Sequence, residues 1–249
     1  MMFVKGFLSF VRPMLLLLGW FLSLNQLALA DDPIQHNGVG RVYEPYVNAL
    51  EREFEYRSLY QTDDKAIESD ILRQKLGYGF SVGSKLFAEA YIAGKKRAGE
   101  SFRVESFELE ARWQLTEQGE FAYDWGLLFE LEKERSESIT ELSSAVLISR
   151  QWGRWVGTAN LGIEYEFGSD IDNEFDTFVA AKLRYRYKQY LEPGIELYID
   201  EITSGVGPVF SGLVRGRENT KWQWEVGLVL PLNNQTPDYS YRFLLEFEF

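Results

Sequence analysis

The stretch Tyr239-Ser240-Tyr241-Arg242-Phe243-Leu244-Leu245-Glu246-Phe247-Glu248-Phe249 sorts its side chains into two sets. Phe249, Phe247, Leu245, Phe243, Tyr241 and Tyr239 occupy every second position, and Glu248, Glu246, Leu244, Arg242 and Ser240 lie between them. A period of two puts successive side chains on opposite faces, so this is a β-strand with one apolar and one mostly charged face. Alternation does not say which face is inside. In a soluble sandwich the aromatic face is buried, whereas in a transmembrane barrel it meets lipid and the charged face lines the lumen.

The same alternation recurs upstream. One face carries Leu50, Phe54, Tyr56 and Tyr60, and the other Glu51, Glu53, Glu55 and Arg57. Leu72, Leu76, Tyr78 and Phe80 then alternate with Arg73, Lys75, Gly77 and Gly79, and a strand of less clear faces is expected over about 85–94. Further strands set Phe107, Leu109 and Trp113 against Glu108, Glu110 and Arg112, and Trp125, Leu127 and Phe129 against Asp124 and Glu130. A less regular strand over 139–152 meets the next across Gly153-Arg154, a connection of hairpin length. Beyond it Leu161, Ile163 and Tyr165 oppose Glu164 and Glu166, and Val179, Leu183 and Tyr185 oppose Lys182, Arg184 and Arg186. Ile195 and Leu197 alternate with Glu196, a strand follows over about 206–215, and Trp222, Trp224 and Val226 alternate with Lys221 and Glu225.

With the last strand the count is about twelve, each near the length that crosses a bilayer when tilted. An even number suits single-chain bacterial barrels. Connections after the second, fourth and sixth strands (Gly83-Ser84, Thr116 to Gly119, Gly153-Arg154) read as short, and those after the first, third and fifth as longer and charged. Short turns on one side and longer loops on the other are the pattern of such barrels. Trp113, Trp152, Trp155, Tyr185, Tyr187 and Tyr190 lie near the short turns, where rings with an apolar body and a polar tip suit a membrane interface.

The terminal strand resembles the C-terminal recognition strand of Gram-negative outer-membrane β-barrels, which ends on Phe with apolar residues at alternate positions. That resemblance implies an assembly signal in Tyr241, Phe243, Leu245, Phe247 and Phe249, read by the barrel assembly machinery. LTEQGE (115–120), LEPGIE (191–196) and GPVFSG (207–212) resemble an uncharacterised family of small exported barrels, a likeness of turns and strand starts that implies fold and no activity.

At the other end, Lys5 and Arg12 precede an apolar run from Met14 to Leu24 and then Leu27-Ala28-Leu29-Ala30. A basic region, a short apolar region and an Ala-x-Ala site form a secretory signal peptide over 1–30, too short in its apolar part to span a bilayer as a helix. Residues 31–46 read as a periplasmic leader or lumen insert, and 47–249 as the barrel. Loss of Lys5 and Arg12 leaves 24 Lys and Arg against 38 Asp and Glu, a net of −14. Such a surface disfavours nucleic acid. The chain has no cysteine, so stability rests on the sheet. Aromatic content of 16% suits interface girdles; a mean hydropathy of −0.25 averages a lipid face with a polar lumen and decides nothing.

The inward positions give the candidate lumen lining: Glu53, Glu55, Arg73, Lys75, Glu108, Glu110, Arg112, Asp124, Glu130, Glu164, Lys182, Arg184, Arg186, Glu196, Glu225, Arg242 and Glu246. Mixed charges either pair across the lumen and plug it, or line a narrow wet channel favouring cations. Catalysis is not expected, since barrel hydrolases generally use a histidine base and the one histidine, His36, precedes the first strand. Asp170, Asp172 and Glu174 recur every second residue and form a weak oxygen-ligand pattern for a hard cation; without EF-hand spacing, a solvated loop facing lipopolysaccharide accounts for it as well. No cofactor is expected. The sequence thus points to an outer-membrane barrel that conducts small solutes, the alternatives being a closed barrel with a structural or partner-binding role and a soluble periplasmic β-sandwich.

Overall fold

Strands of alternating character join into one sheet here because every inward and outward set matches its neighbour's. The computed structural model describes residues 40–62, 70–135, 138–169, 171–217 and 220–249. The expected signal peptide, His36, residues 31–39 and Asp170 lie outside them. The strands are β1 (Arg52–Thr62), β2 (Asp70–Val82), β3 (Leu86–Arg97), β4 (Arg103–Gln114), β5 (Asp124–Glu134), β6 (Thr140–Trp152), β7 (Trp155–Phe167), β8 (Glu174–Tyr185), β9 (Glu192–Ile199), β10 (Ser204–Arg215), β11 (Lys221–Pro231) and β12 (Tyr239–Glu248). Each pairs antiparallel with the next, and β12 returns to β1, closing the ring. A two-sheet sandwich is thereby excluded.

The seam between first and last strands runs from Glu53 opposite Glu248 to Thr62 opposite Tyr239. Beyond it the Phe249 amide donates to the Arg52 carbonyl at 2.9 Å. A single-residue slip would turn every charge on one strand to the opposite face. The faces are resolved by exposure: Phe243 and Trp125 are 37% and 39% exposed, while Glu53 and Glu110 are each 4% exposed. Rings therefore point outward and ions inward.

Strands of this length, at about 3.3 Å per residue and a tilt near 40°, span roughly 28 Å, the height of a bilayer's hydrocarbon core. Aromatic pairs gather at both ends of the outer surface. Trp155 and Tyr185 (centroids 5.0 Å apart), Trp222 and Phe247 (4.5 Å) and Phe54 and Phe249 (5.6 Å) mark one rim. Tyr60 with Tyr241 (6.3 Å) and Tyr165 with Phe167 (5.5 Å) mark the other.

Two details depart from the sequence reading. The connection after β4 runs over 115–123 and is longer than 168–173 after β7 or 200–203 after β9, so short and long connections do not segregate by side. Thr116 to Gly119 is only part of that connection, because Trp125 bonds back to Thr116 and the Gly119 amide to Asp124, extending the turn. In addition, β9 is the shortest strand. Its ladder with β8 covers Val179 to Arg184, which leaves residues 174–178 of β8 without strand pairing on that side.

Candidate functional site

The lumen holds a strap. Residues 40–49 run inside the ring, and Leu50, at a φ of 65°, turns the chain into β1. Pro45 has no amide and resists helix, so the strap stays extended, and the amides of Tyr43 and Val47 are taken by wall side chains. Asn160 on β7 bonds the Tyr43 backbone in both directions: the Tyr43 amide donates to Oδ1 at 2.7 Å, and Nδ2 donates to the Tyr43 carbonyl at 2.9 Å. The Val47 amide donates to Gln114 at 2.7 Å, and Arg242 donates to the Gly40 carbonyl at 3.1 Å.

Strap side chains alternate between ionic and apolar partners. The Arg41 guanidinium lies 2.5 Å from both Glu55 and Glu246. Val42 is buried against Ala180, Tyr198 and Val229, with Leu59 beside them. The Tyr43 ring packs with Leu128, Ala145, Leu147 and Phe178. Its hydroxyl donates to Glu110 at 2.7 Å and accepts from Arg57 at 2.6 Å. Glu44 meets Arg184 at 2.5 Å, and the Tyr46 hydroxyl donates to Asp124 at 2.7 Å. Burial pushes the Tyr43 phenol up and that of Tyr46 to about 12, so both remain donors. Burial alone would raise Glu44, but Arg184, Lys182 and Arg186 outweigh it and hold the carboxyl below its usual range.

Glycines make room for this packing. Phe178 lies over Gly162, where an added Cβ would meet the ring at 2.1 Å, and Pro45 lies over Gly126, where one would come within 2.9 Å.

On the wall, acids stand directly opposite acids. Glu110 faces Glu89 on one side and Glu130 on the other, Glu132 lies between Glu108 and Glu141, Glu141 opposes Glu166, and Glu164 opposes Asp176. Like charges in that position repel. Bases interleave to offset this: Lys75 bonds Glu108 and lies 3.8 Å from Glu132, and Arg57 bonds Glu55 and reaches Glu110 at 3.2 Å. On the wall from β8 to β12, Lys182 meets Glu225 at 2.7 Å and its cross-strand partner Glu196 at 3.8 Å, and Arg242 meets Glu196 at 2.6 Å and Glu225 at 2.5 Å.

Of the candidate lining residues, Glu53, Glu55, Glu108, Glu110, Asp124, Glu164, Lys182, Glu196, Glu225, Arg242 and Glu246 are buried. Arg73, Lys75, Arg112, Glu130 and Arg184 are half-buried; Arg73 bonds Gln61 at 2.8 Å, and Arg112 sits over the Phe87 ring at 5.1 Å. Arg186 differs: it lies past the end of β8 and donates to Gln151 at 2.6 Å, at the rim. In the terminal strand, Tyr241, Phe243 and Phe249 are exposed and Leu245 and Phe247 half-buried. Asp172 and Glu174 are exposed. Among the described residues, carboxylate oxygens gather within 4.8 Å of one another in two groups in the lumen, Glu53 with Glu55 and Glu89, and Glu108 with Glu110 and Glu130.

No family model and no curated protein matches the sequence. Solved structures do match. An outer membrane channel from Pseudomonas putida F1 superposes with a TM-score of 0.59 at 10% identity, covering 88% of this chain and 99% of that one. The fold is that of the outer-membrane β-barrels. The NanC porin (TM-score 0.52, 7% identity, 79% of this chain and 98% of that one) has a similar barrel. So does the KdgM porin, solved with disordered oligogalacturonate (0.50, 13%, 79% and 98%).

Within this barrel, sequence reasoning missed the strap's partners. Arg41-Val42-Tyr43 alternates like a strand, a signal in plain view, but a segment that bonds only to side chains has no ladder partner to reveal its place. Asn160 stands on an inward face as the alternation requires, and nothing in its neighbours marks it as a clamp. The inward Leu128, Leu147 and Phe178 break the charged pattern, which is the trace the strap leaves in the wall's sequence.

Proposed function

We propose that this barrel is a channel for small solutes in the outer membrane, kept narrow at rest by the strap. One observation carries the reading: the body filling the lumen is tied to the wall by side chains and not by a strand ladder, so it can leave while the ring stays closed. The membrane location rests on the outward rings, their two girdles and the kinship of fold. Outer-membrane lipid and lipopolysaccharide surround it, and the barrel assembly machinery reads its terminal strand. The facing acids of β3 to β8 give the lumen a field that prefers cations, weakly, because Lys75, Arg57, Lys182 and Arg242 neutralise part of it.

Planar-bilayer recording tests this. The wild-type chain is expected to give small, intermittent currents, and Asn160→Ala, which removes both bonds to the Tyr43 backbone, larger and longer ones; under a salt gradient the reversal potential falls on the cation side. Absence of current above leak from both chains rejects the channel. A closed barrel with a structural role is the second reading, favoured by the buried Lys182, Glu225, Arg242 and Glu196 cluster, and it predicts that silence.

A further inference from the structure

The strap shows what its berth recognises. Three consecutive residues are each met by a different chemistry on the wall. The Arg41 guanidinium sits between two carboxylates, Glu55 and Glu246, at 2.5 Å from each. Val42 lies on an apolar patch that includes Ala180 and Val229. The Tyr43 ring enters a pocket floored by Phe178 and Leu147, with its hydroxyl on Glu110. Between them, Asn160 reads a backbone amide and carbonyl together. A carboxamide that bonds the amide and carbonyl of one residue reads an extended peptide backbone, and the side-chain berths on either side of it fit the residues of such a backbone.

We propose that the lumen wall is a binding site for short extended peptides carrying a cationic residue two positions before an aromatic one, and that the strap occupies it as an internal mimic. Such peptides are the solute class of the channel, so the inference deepens the channel reading and depends on it for transport, though not for binding. Occupancy by the strap follows from its tether: a covalently attached segment competes at an effective concentration of about millimolar. A free peptide must displace it, and the site then opens the lumen to the molecule that fits.

The test uses the full chain refolded in detergent with the wall intact and the strap weakened by Arg41→Gln and Tyr43→Ala together. The probe is fluorescently labelled acetyl-Arg-Val-Tyr-amide, with acetyl-Gln-Val-Ala-amide as control. Anisotropy is expected to show the probe binding the variant about ten-fold more tightly than the control, and about ten-fold more tightly than it binds wild type. Adding Asn160→Ala to the variant weakens binding of the probe, since it removes the side chain that holds the peptide backbone. In a planar bilayer the probe also blocks the variant's current. If the double substitution impairs folding, Val47→Pro loosens the strap instead, by removing the amide that Gln114 holds. Equal binding of probe and control, or binding unaffected by Asn160→Ala, overturns the proposal. Selective binding without any current from variant or wild type upholds the site and overturns the channel, so the two fail separately.

Discussion

Leu50, where the strap turns into β1, and Glu44 within the strap carry more than packing. Leu50 is 91% exposed and holds a φ of 65°, a left-handed conformation that costs a non-glycine residue about 1–2 kcal/mol. Its side chain gives nothing back by burial. Leu50→Asn is expected to raise stability by about 1 kcal/mol, because asparagine enters that region at less cost, and a higher temperature for loss of the compact gel band checks it. Glu44 titrates in the opposite sense to a buried orphan acid. Since its docked carboxyl is held below the ordinary value of 4.5, its grip on Arg184 is complete above that value and is lost as pH falls through the lowered one. Conductance of the wild type should therefore rise on acidification below about pH 4.5. Glu44→Gln, without the ionised partner, should already conduct more at neutral pH and respond less to acid. At this scale the sequence was legible for facing and not for partnership: alternation put Glu110 and Asn160 inward, but only three-dimensional closure brings Tyr43 to both.

The elements differ in how firmly they are held. β9 has a short ladder with β8, and residues 174–178 of β8 extend past it. Backbone groups without a strand partner cannot lie in hydrocarbon, so this edge belongs above the lipid or beside water. In hydrogen-exchange measurements, those amides of 174–178 that point away from β7 should exchange at least about ten-fold faster than the amides of Val179–Arg184 that bond β9. Equal protection would mean that another part of the chain covers the edge. The closing strand makes the complementary case, since Phe249 stacks on Phe54 and Phe247 (centroids 5.6 and 5.7 Å) and its amide bonds Arg52. Phe249→Ala should weaken that seam by about 1 kcal/mol, seen as a lower urea midpoint. Most strand positions were readable because their residues alternate, while those over 85–94 and 139–152 alternate less clearly. Loop lengths were not, because the 115–123 connection is built from side-chain bonds by Thr116 and Asp124 that no composition signals.

Over the whole molecule, apolar and ionic faces exchange the places they hold in a soluble protein. The rings that a sandwich would bury form the outer coat, and the interior is an ionic lattice closed around an extended segment. An intact ring of this kind should migrate faster on a gel before boiling than after, and should leave the membrane fraction only with detergent. Recovery in the aqueous fraction would contradict the outward orientation. That orientation was open in the sequence, since period-two alternation is the same for both, and it was the exposure of Phe243 and Trp125 against the burial of Glu53 and Glu110 that resolved it.

The strap also bears on how the nascent protein is completed. Residues 40–49 lead directly into β1, so in a ring whose β12 has zipped against β1 first, Asn160, Gln114 and the Glu55 and Glu246 pair face an empty bore. Since wall side chains and no ladder hold the segment, it can dock after that seam has formed as well as before it. Maturation of this barrel therefore adds a docking step to an insertion step, and sealing the ring does not by itself finish the molecule.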